Sequence, residues 1–118
     1  MGGRSRYQPS YDRARLEKHY AEVMSRGDSP TSLTELEREQ GEASVTRSPR
    51  PVAVAAWVRY GTSAVLVLGF TNTWTSRAVE VVWTTPKGET HRAWVWANAV
   101  RHRQITADER VLMPRSML

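Results

Sequence analysis

The amino-acid sequence predicts a mainly β protein, α+β overall: a small five-stranded barrel preceded by a short helical arm. Residues 52–103 hold all five Trp and nearly all of the β-branched apolar sequence. Apolar and polar residues alternate there in short runs bounded by Gly, Pro, Ser and Thr turns. Residues 1–50 are too polar to build a core of their own. The length of 118 residues suits one domain with tails. The divisions fall at 1–50 for the arm and linker, 51–106 for the barrel and 107–118 for a C-terminal tail. Because the alternation is confined to the barrel stretch, that stretch is expected to fold without the arm.

In the arm, a first helix is predicted over 11–26. Ser10 can cap it, Asp12 suits its first turn, and Gly27 can end it. Leu16, Tyr20 and Val23 mark a narrow apolar stripe at i, i+4, i+7. After the turn Asp28-Ser-Pro-Thr, Ser32 and Glu35 have the spacing of a capping box before a short helix over 33–40 that stops at Gly41. Pro49 and Pro51 stiffen the linker 42–51 and break the segment where a DNA-reading third helix would lie.

The predicted strands are 52–60, 64–73, 78–85, 90–96 and 101–105, with a 3₁₀ turn over 97–100. Gly61-Thr-Ser, Thr75-Ser-Arg77 and Pro86-Lys-Gly-Glu89 are the turns between them. Parity sets the faces. Arg92, Trp94 and Trp96 share an outer face, with Ala93 and Val95 inside. Trp57 and Arg59 lie outside, opposite Val54, Ala56 and Val58. Glu80 turns Ala78 and Val82 outward and Val79, Val81 and Trp83 inward. In the second strand the bulkier parity, Leu66, Leu68 and Phe70, is expected inside.

Glu80-Val-Val-Trp83, the Lys87-Gly88 turn and Ala93-Trp-Val-Trp-Ala-Asn-Ala-Val100 resemble the second half of an SH3-like barrel. In SH3 domains a Trp-bearing strand, a distal hairpin, a "Gly–aromatic–aliphatic–Pro–small–Asn–Tyr–Val" strand and a 3₁₀ turn follow in this order. Ala97, Asn98 and Val100 match the end of that strand. Ala93 stands where the Gly would be, Trp96 where the peptide-binding Pro would be, and Ala99 where the peptide-binding Tyr would be. The resemblance covers about residues 52–105 and implies the architecture, while these replacements speak against peptide recognition of the SH3 type. SH3-like barrels also include nucleic-acid-associated modules, so fold alone does not decide function.

The formal net charge is +5 and the pI about 10.2, with 15 of the 17 basic residues Arg. Residues 45–118 carry ten basic and four acidic residues, whereas 27–44 is an acidic block of net −4. There is no Cys, so disulfides and thiolate metal sites are excluded. No apolar leader and no run long enough to span a bilayer is present, which points to a soluble, cytoplasmic protein without membrane association. His19, His91 and His102 are scattered and read as surface residues. No phosphate loop, nucleophile elbow or paired carboxylate emerges, so no enzymatic activity and no cofactor are expected. The sequence therefore points to a binding module. Trp57, Arg59, Arg92, Trp94, Trp96, Arg101 and Arg103 are the candidate binding residues, and nucleic acid or a nucleoprotein is the expected partner. The alternative is a protein–protein adaptor or self-associating assembly subunit, of phage or mobile-element type, using the same Trp/Arg face.

Overall fold

The computed structural model describes residues 9–38 and 44–103, with side chains from residue 14 onward. Helix α1 (Pro9–Met24) leads to a one-turn helix α2 (Glu35–Arg38). Five strands follow: β1 (Thr46–Tyr60), β2 (Ser63–Trp74), β3 (Ala78–Thr84), β4 (Thr90–Trp96) and β5 (Val100–His102), with a 3₁₀ turn at Ala97–Ala99 between the last two. All pairings are antiparallel and the sheet order is β4-β3-β2-β1-β5. The fold is thus mainly β with two helical pieces, as expected, and it is compatible with a small barrel. The C-terminal tail from 107, the last residues of the expected fifth strand and the expected stop at Gly41 lie outside the described residues.

Local chemistry explains the boundaries. Pro9 opens α1, where its missing N–H is harmless, so Ser10 lies inside the helix rather than capping it. Gly27, at φ +77°, ends the following turn, and its N–H donates to the Met24 carbonyl. Strand β1 begins at Thr46, six residues before the expected start. Pro49 and Pro51, which have no N–H for a ladder, fall where the β1–β2 register shifts, between Arg47 and Val52. Gly61 at φ +62° opens the two-residue loop between Tyr60 and Ser63, and Thr62 keeps a negative φ, the II′ hairpin arrangement.

That tight hairpin sets the β1–β2 register and corrects the expected faces of β2. Trp57 stands opposite Leu66, Ala55 opposite Leu68 and Ala53 opposite Phe70. Leu66 and Leu68 therefore share the outer face with Trp57, and Leu68 is 46% exposed. The smaller parity, Val65 and Val67, is inside. Phe70 is buried, but in a separate outer cluster with Ala53 and Val82. Ala78 and Val82 do point to the outer side yet are fully covered.

The inner core joins Val54, Ala56, Val58 and Tyr60 of β1 to Val65, Val67, Val81, Trp83, Ala93 and Val95, and takes Tyr20, Val23 and Met24 from α1. The barrel stretch thus does not fill its core alone. A curled five-stranded sheet lined by Val and Ala leaves space that these larger helical side chains, with Tyr60 and Trp83, occupy. The sheet is open between β4 and the β5–β1 side, and the segment after α1 stitches that gap. Pro30 bridges Tyr60, and Thr31 N–H donates to the Arg59 carbonyl on β1. Leu33 N–H donates to the Trp94 carbonyl on β4, and Trp94 N–H donates to Ser32 Oγ. Two strand edges are covered by one extended segment.

Candidate binding surface

The outer face gathers most of the sequence-predicted residues around Trp57. Its indole is 48% exposed and lines two adjoining grooves. The smaller groove, about 510 Å³, runs along the stitched gap. Trp57, Arg59, Trp94 and Trp96 line it, with Leu33 and Glu37 contributed by the arm. Trp96 is 38% exposed and Trp94 half-buried, while Val95 between them is buried, as parity predicts. The larger groove, about 1040 Å³, is walled on one side by Arg15, Leu16 and His19 of α1. Arg101, His102 and Arg103 stand on another side, with Ala55, Trp57 and Leu66 between. Among the described residues, no carboxylate lines it.

Two predicted residues have mainly other tasks. Arg92 lines neither groove; it sits across from Val82 and pairs with Glu80 at 3.5 Å. The Arg103 guanidinium donates from Nε to the Val54 carbonyl at 2.8 Å and from Nη2 to Gly69 at 3.0 Å, and lies 5.3 Å from the Phe70 ring centre. It fastens the end of β5 across β1 and β2.

The arm's contribution was not legible locally. Ser32 does not form the expected capping box with Glu35; its hydroxyl accepts from Trp94 N–H. The box is formed two residues on instead: Glu37 N–H donates to Thr34 Oγ1 at 3.1 Å, and Thr34 N–H to Glu37 Oε1 at 2.8 Å. This places Glu37 in the smaller groove and Arg38 over Trp94, 4.9 Å from the ring centre.

The position of α1 is set by a buried polar chain. Trp83 Nε1–H donates to the Tyr20 hydroxyl at 2.7 Å and to that of Tyr60 at 3.1 Å. The two hydroxyls are 3.3 Å apart, and Tyr60 Oη lies 2.9 Å from His91 Nδ1, whose other nitrogen faces Glu89 at 3.5 Å. With the His91 proton on Nε2, each hydroxyl donates onward and every member is satisfied. Burial pushes both tyrosine hydroxyls above their ordinary range. His91 is therefore half-buried in this chain rather than a surface residue, and His19, also half-buried, is hydrogen-bonded to the Ala64 carbonyl. Among the described residues no cluster of His and carboxylates suits a metal ion, and no helix is long and apolar enough to cross a membrane.

Comparison with protein families, with characterised proteins and with solved structures finds no match to this chain.

Proposed function

We propose that the protein is a non-enzymatic binding module, an SH3-like barrel that associates with nucleic acid or a nucleoprotein through the surface around Trp57. The 3₁₀ turn between the fourth and fifth strands falls where the SH3 resemblance expects it. The observation that carries the binding reading is the larger groove. A half-exposed indole lies beside Arg15, Arg101, Arg103, His19 and His102, with no carboxylate among the described residues of the lining. An exposed indole offers a base a stacking face, and surrounding cations favour the phosphates. The test is titration with short single- and double-stranded nucleic acid at about 50 and 200 mM salt, where phosphate binding weakens steeply. Trp57→Ala, at an exposed outer position, should lower single-strand affinity by about 1–3 kcal/mol per stacked base while leaving the melt nearly unchanged. Absence of binding at the lower salt would remove this reading. A second reading, assembly with a protein partner, is favoured by the exposed Leu68 and Trp96 on the same side of the sheet. A sharp oligomer in light scattering would support it.

A further inference from the structure

We infer that the nucleic acid is taken as a single strand whose path crosses both grooves: one unpaired base stacks on Trp57, and another, further along the strand, stacks on Trp96 in the smaller groove. The inference rests on the proposed nucleic-acid reading and carries it beyond the larger groove. The two grooves meet at Trp57, Ala64 and Ala99, which line both. Charge differs on the two sides of this crest. Among the described residues, the larger groove is lined by Arg15, Arg101 and Arg103 and by no carboxylate, which suits phosphates. The smaller groove is lined by one carboxylate, Glu37, and one guanidinium, Arg59, together with Trp57, Trp94 and Trp96. A charge-balanced groove walled by indoles favours a flat, uncharged group over a phosphate, and a base is such a group.

Of the three rings, Trp57 and Trp96 are the exposed ones, whereas Trp94 is half-buried with the Arg38 guanidinium over it at 4.9 Å. A duplex presents base edges and backbone, because the faces of its bases are hidden in the stack. Indoles lying in concave grooves therefore meet base faces only where the strand is unpaired. Phosphates along the arginines and bases on the rings account for both grooves with one ligand. Trp96 lines only the smaller groove, so it separates the crossing path from binding in the larger groove alone.

The test titrates the full chain, at about 50 mM salt, with labelled thymidine and uridine octamers, an octamer of abasic sugar phosphates and a GC-rich duplex, read by fluorescence anisotropy. The native chain should bind one or both base-bearing octamers more tightly than the abasic one, and a preference between them tells DNA from RNA. Trp96→Ala should weaken the base-bearing octamer about five- to hundredfold, the loss of one stacked base, and leave the abasic octamer and the duplex unchanged. Trp96→Leu keeps apolar bulk at the strand end without a ring and should show the same selective loss, which separates stacking from a failure to fold. Octamer binding that falls with Trp57→Ala but is indifferent to both Trp96 variants would overturn the crossing path and leave the larger groove standing as the nucleic-acid surface. Equal weakening of the abasic octamer and the duplex would also overturn it. Absence of binding by every probe would remove the underlying reading and this inference with it.

Discussion

At the scale of single residues, the Tyr60 hydroxyl joins three elements: it meets Tyr20 of α1, Trp83 of β3 and His91 of β4. Tyr60→Phe removes the donor to His91 Nδ1 and one acceptor for Trp83, while Trp83 keeps Tyr20. A loss of about 1–3 kcal/mol is expected, measured as a lowered denaturant midpoint with the native β spectrum retained. The raised ionisation of Tyr20 and Tyr60 has a signed consequence. Above the ordinary tyrosine value of 10 the unfolded chain releases these protons while the folded chain keeps them. The unfolded state then binds fewer protons, so stability is fully present below that value and falls as pH rises beyond it. Denaturant midpoints taken from neutral to alkaline pH should decline there, and less steeply in Tyr60→Phe. A native midpoint that is flat across that range would contradict the buried placement of both hydroxyls. Tyr20 was legible as part of an i, i+4, i+7 stripe. His91 was not, because nothing local distinguishes an imidazole above a buried hydroxyl from one in water.

Among the elements, β2 carries the main lesson. Choosing the bulkier parity as the inside assumes that an interior is filled by the strand's own largest side chains. In this sheet the interior volume is taken by Tyr60, Trp83 and helical residues, which leaves room on β2 only for Val65 and Val67. The two-residue loop at Gly61-Thr62 contained the answer, since it forces Leu66 opposite the outer Trp57. β4, whose single Arg92 declares its outer face, has the expected bounds, with Trp94 and Trp96 on the outer side and Ala93 and Val95 inside; His91 alone was misplaced. α2 moved because a long-range demand on Ser32 outweighed its local capping role, and sequence spacing carries no record of such a demand. Gly69 tests how tightly β2 and β3 are joined. A Cβ there would lie 2.5 Å from the Val82 carbonyl oxygen and 3.0 Å from Trp83 Cβ. Both are backbone-fixed atoms, so Gly69→Ala must spread the strands. A loss of about 1–3 kcal/mol in the thermal melt is expected, and a neutral result would mean that the two strands pack less closely than described.

For the whole molecule, the question is whether the strands are a domain without the arm. Composition suggested that they are, because apolar alternation is confined to the barrel stretch. The packing argues otherwise. Val23 is fully buried and Tyr20 and Met24 nearly so, all three within the same cluster as Val54, Val67 and Trp83. Burying a side chain of this kind contributes about 1.5–3 kcal/mol, and three together rival the whole net stability of a small domain. Removing residues 1–26 would also leave the Trp83 indole N–H with only its longer partner, Tyr60. The shortened chain should therefore lose its cooperative melt or unfold at a much lower temperature, with Trp emission shifted to the red as Trp83 meets water. Val23→Ala in the full chain provides the graded version, expected to be destabilising by about 2 kcal/mol or more. Because α1 also walls the larger groove with Arg15, Leu16 and His19, nucleic-acid affinity should fall with the helix even where the strands stay folded. If the shortened chain melted as the full chain does, α1 would be an appendage. The core would then have to be complete without Tyr20, Val23 and Met24.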